Sequence, residues 1–191
     1  MLNRMSQTPL HWAANNGHLE VCKLIIEGTS DKNPADKISS KTLLHHAAYH
    51  GHLEVCNLIM ESINVVKIGF DKNPACSQFW QGGIGYDGET PFHFAAQQGQ
   101  LAVCQLMLEK LSDKNTATDA IELTTLHYAA ESGQVEVCKL IMENLVDKNP
   151  FCLNKSTPLS LATNRGQSEV CRLFRENGYS NDDLLVKERN L

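Results

Sequence analysis

The sequence predicts an all-α fold, a solenoid of five stacked helix-turn-helix units joined by turns and hairpins. In each unit a glycine follows an opening threonine by nine positions, and a cysteine follows it by fourteen. The opening threonines are Thr8, Thr42, Thr90, Thr124 and Thr157, so the spacings are 34, 48, 34 and 33 residues. A repeat of this length indicates that one supersecondary unit recurs along the chain.

The first unit shows how each helix begins and ends. Thr8-Pro9 offers a capping hydroxyl and a proline for the first turn of a short helix. Gly17 supplies a left-handed residue that ends this helix. The second helix carries an apolar face formed by Val21, Leu24 and Ile25. A unit of this size cannot bury its own apolar face, so the units must stack.

Five of the seven cysteines occupy one repeated position within apolar helical runs. They are Cys22, Cys56, Cys104, Cys138 and Cys171. Reduced cysteine packs as a small hydrophobic residue, so we predict core thiols in a reducing compartment. Cys76 and Cys152 follow Asp-Lys-Asn-Pro turns, and we expect them to be exposed loop thiols without a role.

Charge and composition exclude several classes of protein. The formal net charge is -5, whereas nucleic-acid binding that ignores sequence needs a basic surface. No apolar run approaches the length of a membrane span, and the first residues lack the apolar region of a signal peptide. We therefore expect a cytoplasmic or nuclear protein with no nucleic-acid partner and no direct membrane insertion.

Two segments carry a family resemblance. Residues 8–14, Thr-Pro-Leu-His-Trp-Ala-Ala, and 90–96, Thr-Pro-Phe-His-Phe-Ala-Ala, resemble the ankyrin signature T-P-L-H-x-A. The resemblance covers about residues 5–178. It implies an ankyrin-repeat domain over 1–179, with 180–191 as a tail or a short capping helix.

The two ends of this predicted array differ in polarity. Ser160 and Ser168 stand in the last unit where the pattern has histidine and leucine. A degenerate last unit is typical of a capping repeat with a polar outer face. The first unit is as apolar as any internal one, so we expect either a monomer or part of a longer array.

The resemblance implies a non-enzymatic module that binds a protein partner through a concave face. The expected contacts are the paired residues before each glycine, which differ between units while the framework does not. These pairs are Asn15 and Asn16, Tyr49 and His50, Gln97 and Gln98, Glu131 and Ser132, and Asn164 and Arg165. The turn tips add Lys41, Glu89, Leu123 and Ser156.

Most of these groups are uncharged, so we expect recognition by shape and hydrogen bonding rather than by charge steering. The alternative is a structural spacer in a larger ankyrin array of a signalling or membrane-associated protein.

Fourteen extra residues lie between the second and third units, within residues 63–86. Lengthening a surface loop costs only about 0.6 kcal/mol per doubling, so the insertion need not break the stack. It contains Phe79, Trp80 and Tyr86. Two interpretations remain open: the aromatic residues fold back onto the solenoid, or they contact a partner.

Several motifs that suggest chemistry lack the context that the chemistry needs. Residues 83–88 match G-x-G-x-x-G but have no βαβ unit around them. His46 and His50 form an i,i+4 pair with no evident third zinc ligand. The recurring cysteines and histidines occupy equivalent positions, whereas a catalytic nucleophile needs one tuned environment. We predict no catalytic residue, cofactor or metal.

The resemblance also implies roles for two kinds of repeated residue. The repeat histidines, which are His11, His45, His93 and His127, are expected to bond backbone groups of neighbouring units. In similar proteins the turn asparagine is hydroxylated by a cytosolic asparaginyl hydroxylase, and the candidates are Asn33, Asn73, Asn115 and Asn149. A lysine precedes each of them where a small apolar residue is usual, which favours a turn-forming role.

Overall fold

The computed structural model describes residues 7–36, 39–65, 88–111 and 121–179. Within these ranges the chain forms ten helices and an isolated antiparallel bridge between Ala35 and Thr42. The helices are α1 (Pro9–Asn15), α2 (Leu19–Glu27), α3 (Leu43–Tyr49), α4 (Leu53–Val65), α5 (Pro91–Gln97), α6 (Leu101–Lys110), α7 (Thr125–Glu131), α8 (Val135–Asn144), α9 (Pro158–Asn164) and α10 (Ser168–Glu176). None of these helices is both long enough and apolar enough to cross a membrane.

Each repeat contributes one short and one longer helix, and the helices stack in two rows. The first row contains α1, α3, α5, α7 and α9, and each of these helices contacts the next one in the row. The second row contains α2, α4, α6, α8 and α10, which contact one another in the same order. This arrangement confirms the predicted solenoid of helix-turn-helix units.

The threonine and the glycine of each repeat set the limits of the first-row helix. Thr42 has an extended backbone, and its N–H donates to Nδ1 of His45 at 3.0 Å. The Thr42 hydroxyl also caps the His45 N–H, so the two residues satisfy each other's free polar groups. Gly51 then takes φ of +77°, a left-handed value that favours glycine.

A continuous apolar core lies between the two rows. The small side chains of Ala47, Ala48 and Cys56 are fully buried there, so neighbouring repeats pack closely. The six cysteines of the described ranges are free and buried. This finding corrects the expectation that Cys152 is exposed. Cys152 is 5% exposed because it packs with Leu123 in a smaller separate cluster.

The insertion does not interrupt the stack. The α3 helix contacts α5, and α4 contacts α6, across the longer connection. Residues 66–87 lie outside the described residues, and with them Cys76, Phe79, Trp80 and Tyr86. The two interpretations of the aromatic residues therefore stay predictions.

The first repeat exposes apolar side chains at positions where the later repeats are buried or partly buried. Val21 is 45% exposed. The valines at the same position in the later repeats are at most 2% exposed; they are Val55, Val103, Val137 and Val170. Leu24 and Trp12 are also exposed, at 72% and 59%. Of the apolar face predicted for the second helix, Val21 and Leu24 thus stay exposed, whereas Ile25 packs against the core that Cys22 and Ile26 fill.

The last repeat presents a polar face at the other end of the stack. Thr163, Ser168 and Arg175 are exposed there. The residues at the Thr163 position in the earlier repeats are alanines that are fully buried. The side chain of Ser160 accepts from the Thr157 N–H at 2.8 Å, so it replaces histidine within its own repeat. These features confirm the polar outer face predicted for the last repeat.

Candidate interaction surface

A ladder of histidines joins successive first-row helices. Nε2 of His45 lies 3.2 Å from the Glu89 carbonyl oxygen. Two later histidines repeat this contact at 3.1 and 3.2 Å, from His93 to Leu123 O and from His127 to Ser156 O. The predicted bonds between histidines and neighbouring units are thereby confirmed for these three residues, which we call the histidine ladder.

The hydrogen bonds of the ladder fix the tautomer and the charge of each ring. Nδ1 of His45 accepts the backbone N–H of Thr42, so the ring proton lies on Nε2 and is donated to the carbonyl. Burial lowers the pKa of His45 to about 3 and that of His127 to about 4. The His45 and His127 rings are therefore neutral near pH 7 and act as structural hydrogen-bond bridges.

The first histidine does not follow this pattern. His11 accepts the Thr8 N–H at 3.2 Å, but its Nε2 has no hydrogen-bond partner among the described residues. The equivalent carbonyl, that of Lys41, accepts from Asp36 N at 2.8 Å. The His11 ring instead meets the edge of His46, with the centroids 5.8 Å apart.

A second ladder was missed by the sequence analysis. From the second repeat on, the residue after the repeat glycine donates to the last carbonyl of the preceding first-row helix. Nε2 of His52 lies 3.0 Å from Asn15 O, and Nε2 of Gln100 lies 3.2 Å from Tyr49 O. Gln134 and Gln167 do the same to Gln97 and Glu131, at 3.2 and 3.1 Å. The available signal was a histidine or glutamine ten positions after every repeat threonine.

The second ladder bonds backbone carbonyls of the predicted contact residues, and the side chains of these residues lie at the surface. Seven of them are exposed or partly exposed on the first-row surface; they are Asn15, Asn16, Tyr49, His50, Gln97, Gln98 and Ser132. Asn164, Arg165 and Glu131 continue this surface at the last two repeats. The structure brings these residues together along one edge of the first row, which we call the variable edge.

Two kinds of contact along the variable edge involve charged and aromatic side chains. Nη2 of Arg165 lies 2.6 Å from Oε1 of Glu131, so adjacent repeats share an ion pair. Tyr49 packs edge-on against His50 and Phe94, with centroids 4.9 and 6.1 Å apart. The edge is thus aromatic near its start and charged near its end.

Two of the predicted turn tips do not reach the surface. Glu89 is 3% exposed and Leu123 is 4% exposed, so their assignment as contact residues was wrong. Burial raises the pKa of the Glu89 carboxyl. The backbone carbonyls of Glu89 and Leu123 serve the histidine ladder instead.

A small pocket opens on the variable edge where three repeats meet. Its volume is about 220 Å³. It is lined by Asn15, Lys41, His45, His46, Tyr49, His50 and Phe94. The Lys41 ammonium lies 4.4 Å from the centroid of the Phe94 ring, so the two groups form a cation–π interaction. We call this the Lys41 pocket.

The family model described as "Ankyrin repeats (3 copies)" matches residues 1–68, 65–151 and 92–184. The chain belongs to the ankyrin-repeat family. Ankyrin repeats are generally protein–protein interaction modules, and the family is typically non-enzymatic. A comparison with curated proteins finds no match to this chain.

The turn asparagines of the ankyrin repeats organise the backbone. Oδ1 of Asn33 accepts the N–H of Leu44 at 3.0 Å, and Oδ1 of Asn149 accepts that of Leu159 at 3.3 Å. Each bond joins a turn to the first-row helix that follows it, which supports the turn-forming role. Asn73 and Asn115 lie outside the described residues.

The remaining histidine pair is split between two environments. His46 is largely buried, with Nε2 3.7 Å from Oδ2 of Asp36, and burial lowers its pKa to about 4. His50 is exposed and stacks on His52, with the centroids 6.0 Å apart. Within the described ranges no three histidine, cysteine, aspartate or glutamate side chains converge as metal ligands.

The repeat cysteines are buried in the ankyrin core. Burial raises the pKa of the Cys56, Cys104 and Cys138 thiols to about 12. A nucleophilic cysteine needs a lowered pKa and access to solvent, so these thiols are suited to packing. Of the G-x-G-x-x-G match only Gly88 lies within the described residues.

The second row carries a separate depression of about 540 Å³ between α2, α4 and α6. Its lining includes four leucines and the acidic residues Glu54, Glu61 and Glu109. The side chain of Lys110 lies 3.9 Å from Glu61. This depression is on the opposite row from the variable edge, so the two surfaces can be tested separately.

Proposed function

We propose that this chain is a non-enzymatic module that binds a partner protein through the variable edge, with the insertion at 63–86 as a second contact. The observation that carries the proposal is that framework residues and surface residues have separate roles within each repeat. The histidine and second ladders commit the framework residues to inter-repeat bonds. The side chains just before each glycine stay exposed and differ between repeats.

The size of the edge fits this role. First-row helices that pack about 8–10 Å apart give five repeats an edge of roughly 40–50 Å. That length accommodates a standard interface of about 800 Å² on each partner. Tyr49 is the best anchor along it, because tyrosine is enriched at energetically dominant contacts and this ring is 38% exposed.

The experiment uses peptides selected from a random display library on the wild-type chain. Binding of the selected peptides is then measured for the double variant Tyr49→Ala/Gln97→Ala. We expect affinity to fall at least about tenfold, since losing an interface anchor costs 1.4 kcal/mol or more. Far-ultraviolet circular dichroism must show unchanged helicity in the variant.

A matched control sits on the other row. The double variant Gln105→Ala/Lys23→Ala alters exposed or partly exposed residues of the second-row depression and should leave affinity unchanged. Equal affinity for the Tyr49/Gln97 variant and the wild type would reject the variable edge and favour the spacer alternative. Deleting residues 77–86 tests the contribution of the insertion in the same assay.

We further propose an intracellular location, cytoplasmic or nuclear. Six free, buried thiols in the described ranges suit a reducing compartment, where cysteine serves as a core residue. Fluorescence microscopy of the tagged chain tests this, and accumulation in the secretory pathway would contradict it.

A further inference from the structure

The Lys41 pocket has the dimensions of a site for one side chain. Sites for small-molecule ligands usually measure about 300–1,000 Å³. At about 220 Å³ this pocket is smaller. It lies on the variable edge, and Asn15, Tyr49 and His50 of that edge contribute to its wall. A side chain projecting from a protein bound along the edge would enter it.

Three of the groups that line the pocket can donate hydrogen bonds into it. Lys41 brings an ammonium that is held over the Phe94 ring and makes no ion pair with a described residue. Asn15 brings an amide and Tyr49 a hydroxyl. Of the seven lining residues none is acidic, so the formal charge facing the cavity near pH 7 is positive.

Two carboxylates lie behind the wall and do not cancel this charge at the opening. Asp36 is 5% exposed, and it accepts hydrogen bonds from the Ser39 N–H and hydroxyl, both at 2.7 Å. Glu89 is 3% exposed, and burial raises the pKa of its carboxyl, which favours the neutral form, while the Lys41 ammonium acts against this shift. Both acidic side chains are buried and neither lines the pocket, whereas Lys41 is partly exposed, so an entering side chain meets the ammonium.

We propose that the Lys41 pocket receives an acidic side chain, aspartate or glutamate, of the bound protein. The carboxylate accepts a charge-assisted hydrogen bond from the ammonium, which is about twice as strong as a neutral one. An apolar side chain in the same place would desolvate the ammonium without giving it an acceptor, which is costly. This inference rests on the proposed function, because it names the chemistry of one contact on that edge.

The test repeats the selection of random display peptides on three chains: wild type, Lys41→Met and Lys41→Glu. Lys41→Met keeps the apolar stem over Phe94 and removes only the charge. We expect the wild-type peptides to share an aspartate or glutamate at one position. Changing that residue to its amide should weaken binding to wild type about tenfold and binding to Lys41→Met hardly at all.

The charge-reversed chain gives the opposite expectation. Peptides selected on Lys41→Glu should carry lysine or arginine at the equivalent position. If the thermal melt shows that this variant does not fold, the comparison of wild type with Lys41→Met decides alone. No shared acidic position, or an equal loss of affinity in both chains, overturns the inference.

The two proposals fail in different ways. If the selected peptides depend on Tyr49 and Gln97 but share no acidic residue, the proposed function stands and the proposed carboxylate contact is rejected. If their binding does not depend on Tyr49 and Gln97, both the proposed function and the carboxylate contact are rejected. Raising the salt concentration adds a further check, because it should weaken binding of the acidic peptides more for wild type than for Lys41→Met.

Discussion

Nε2 of His45 donates to the carbonyl oxygen of Glu89, a residue 44 positions later in the chain, at 3.2 Å. The equivalent bonds from His93 and His127 span only 30 and 29 positions. The contact is therefore made in the same way across the insertion as across ordinary connections. The repeat framework, and not the length of the connection, positions the neighbouring helices.

Replacing His45 should destabilise the stack. His45→Ala removes the bonds to Thr42 and to Glu89 from a fully buried position, and we expect the free energy of unfolding to fall by about 3 kcal/mol. Urea denaturation followed by circular dichroism measures this. His18→Ala is the control: His18 is exposed, so its replacement should lower the free energy of unfolding by less than about 0.5 kcal/mol. Equal effects at the two positions would refute the role of the ladder.

Acid should destabilise the protein through the neutral ladder histidines. The folded pKa values of His45 and His127 are lowered from 6.5 to about 3 and about 4. Between these values and 6.5 the unfolded chain binds more protons, so stability is complete above about pH 7 and declines as the pH falls. Each ring contributes a slope of up to about 1.4 kcal/mol per pH unit.

The pH effect can be assigned to one residue by comparing variants. The raised pKa of Glu89 acts in the opposite direction, so the total slope is not diagnostic. Urea unfolding from pH 7 down to about pH 5 should show a shallower slope in His127→Gln than in wild type. Parallel curves for the two proteins would contradict the assignment.

Two glycines with the same backbone conformation should respond differently to alanine. Gly133 and Gly166 have φ of +78° and +73°, so alanine is strained at both by about 1 kcal/mol. A Cβ on Gly133 would lie 2.5 Å from Oε1 of Gln167, whereas nothing lies within 4 Å of one on Gly166. Gly133→Ala must displace Gln167 from its bond to Glu131.

We therefore expect a loss of about 2 kcal/mol for Gly133→Ala and about 1 kcal/mol for Gly166→Ala. Thermal and urea unfolding measure both under identical conditions. If the two variants lose equal stability, the second ladder contributes nothing at this interface.

Leucines at one repeat position should tolerate charge only in the first repeat. Leu24 is 72% exposed, and Leu106 at the same position is 9% exposed. Leu24→Lys should change stability by under about 0.5 kcal/mol, whereas Leu106→Lys should cost about 3 kcal/mol. Urea midpoints of the two variants compare them directly. A large loss for Leu24→Lys would mean that this leucine is covered in solution.

The sequence predicted the framework because every repeat carries the same physical signals. The threonine caps, the left-handed glycines and the buried cysteine positions are local features that recur with one period, and the structure contains them. The histidine bonds to neighbouring repeats followed from the family resemblance. The repeated His or Gln that forms the second ladder was visible in the sequence, but its donor role depends on where the preceding helix ends.

The errors concern residues whose surroundings come from another repeat. Helical periodicity marks Val21 as apolar, but it does not reveal whether a neighbour covers it. Cys152 follows a polar turn, yet it is buried by Leu123 and Tyr128 of the preceding repeat. Glu89 and Leu123 occupy turn positions that look exposed, and they are buried by inter-repeat packing. Spacing along one chain does not encode these contacts.

The two ends of the described solenoid differ in polarity, so they differ in how readily a further repeat could be added. A repeat fused before Thr8 would contact exposed hydrophobic side chains. Val21 and Leu24 occupy positions that later repeats use to pack against the repeat before them. A module grafted behind Glu176 would meet Thr163 and Arg175, and both would need replacing before a new helix pair could sit there. Among the described residues, the upstream end therefore offers an apolar surface for a further repeat, whereas the downstream end would need its polar side chains replaced.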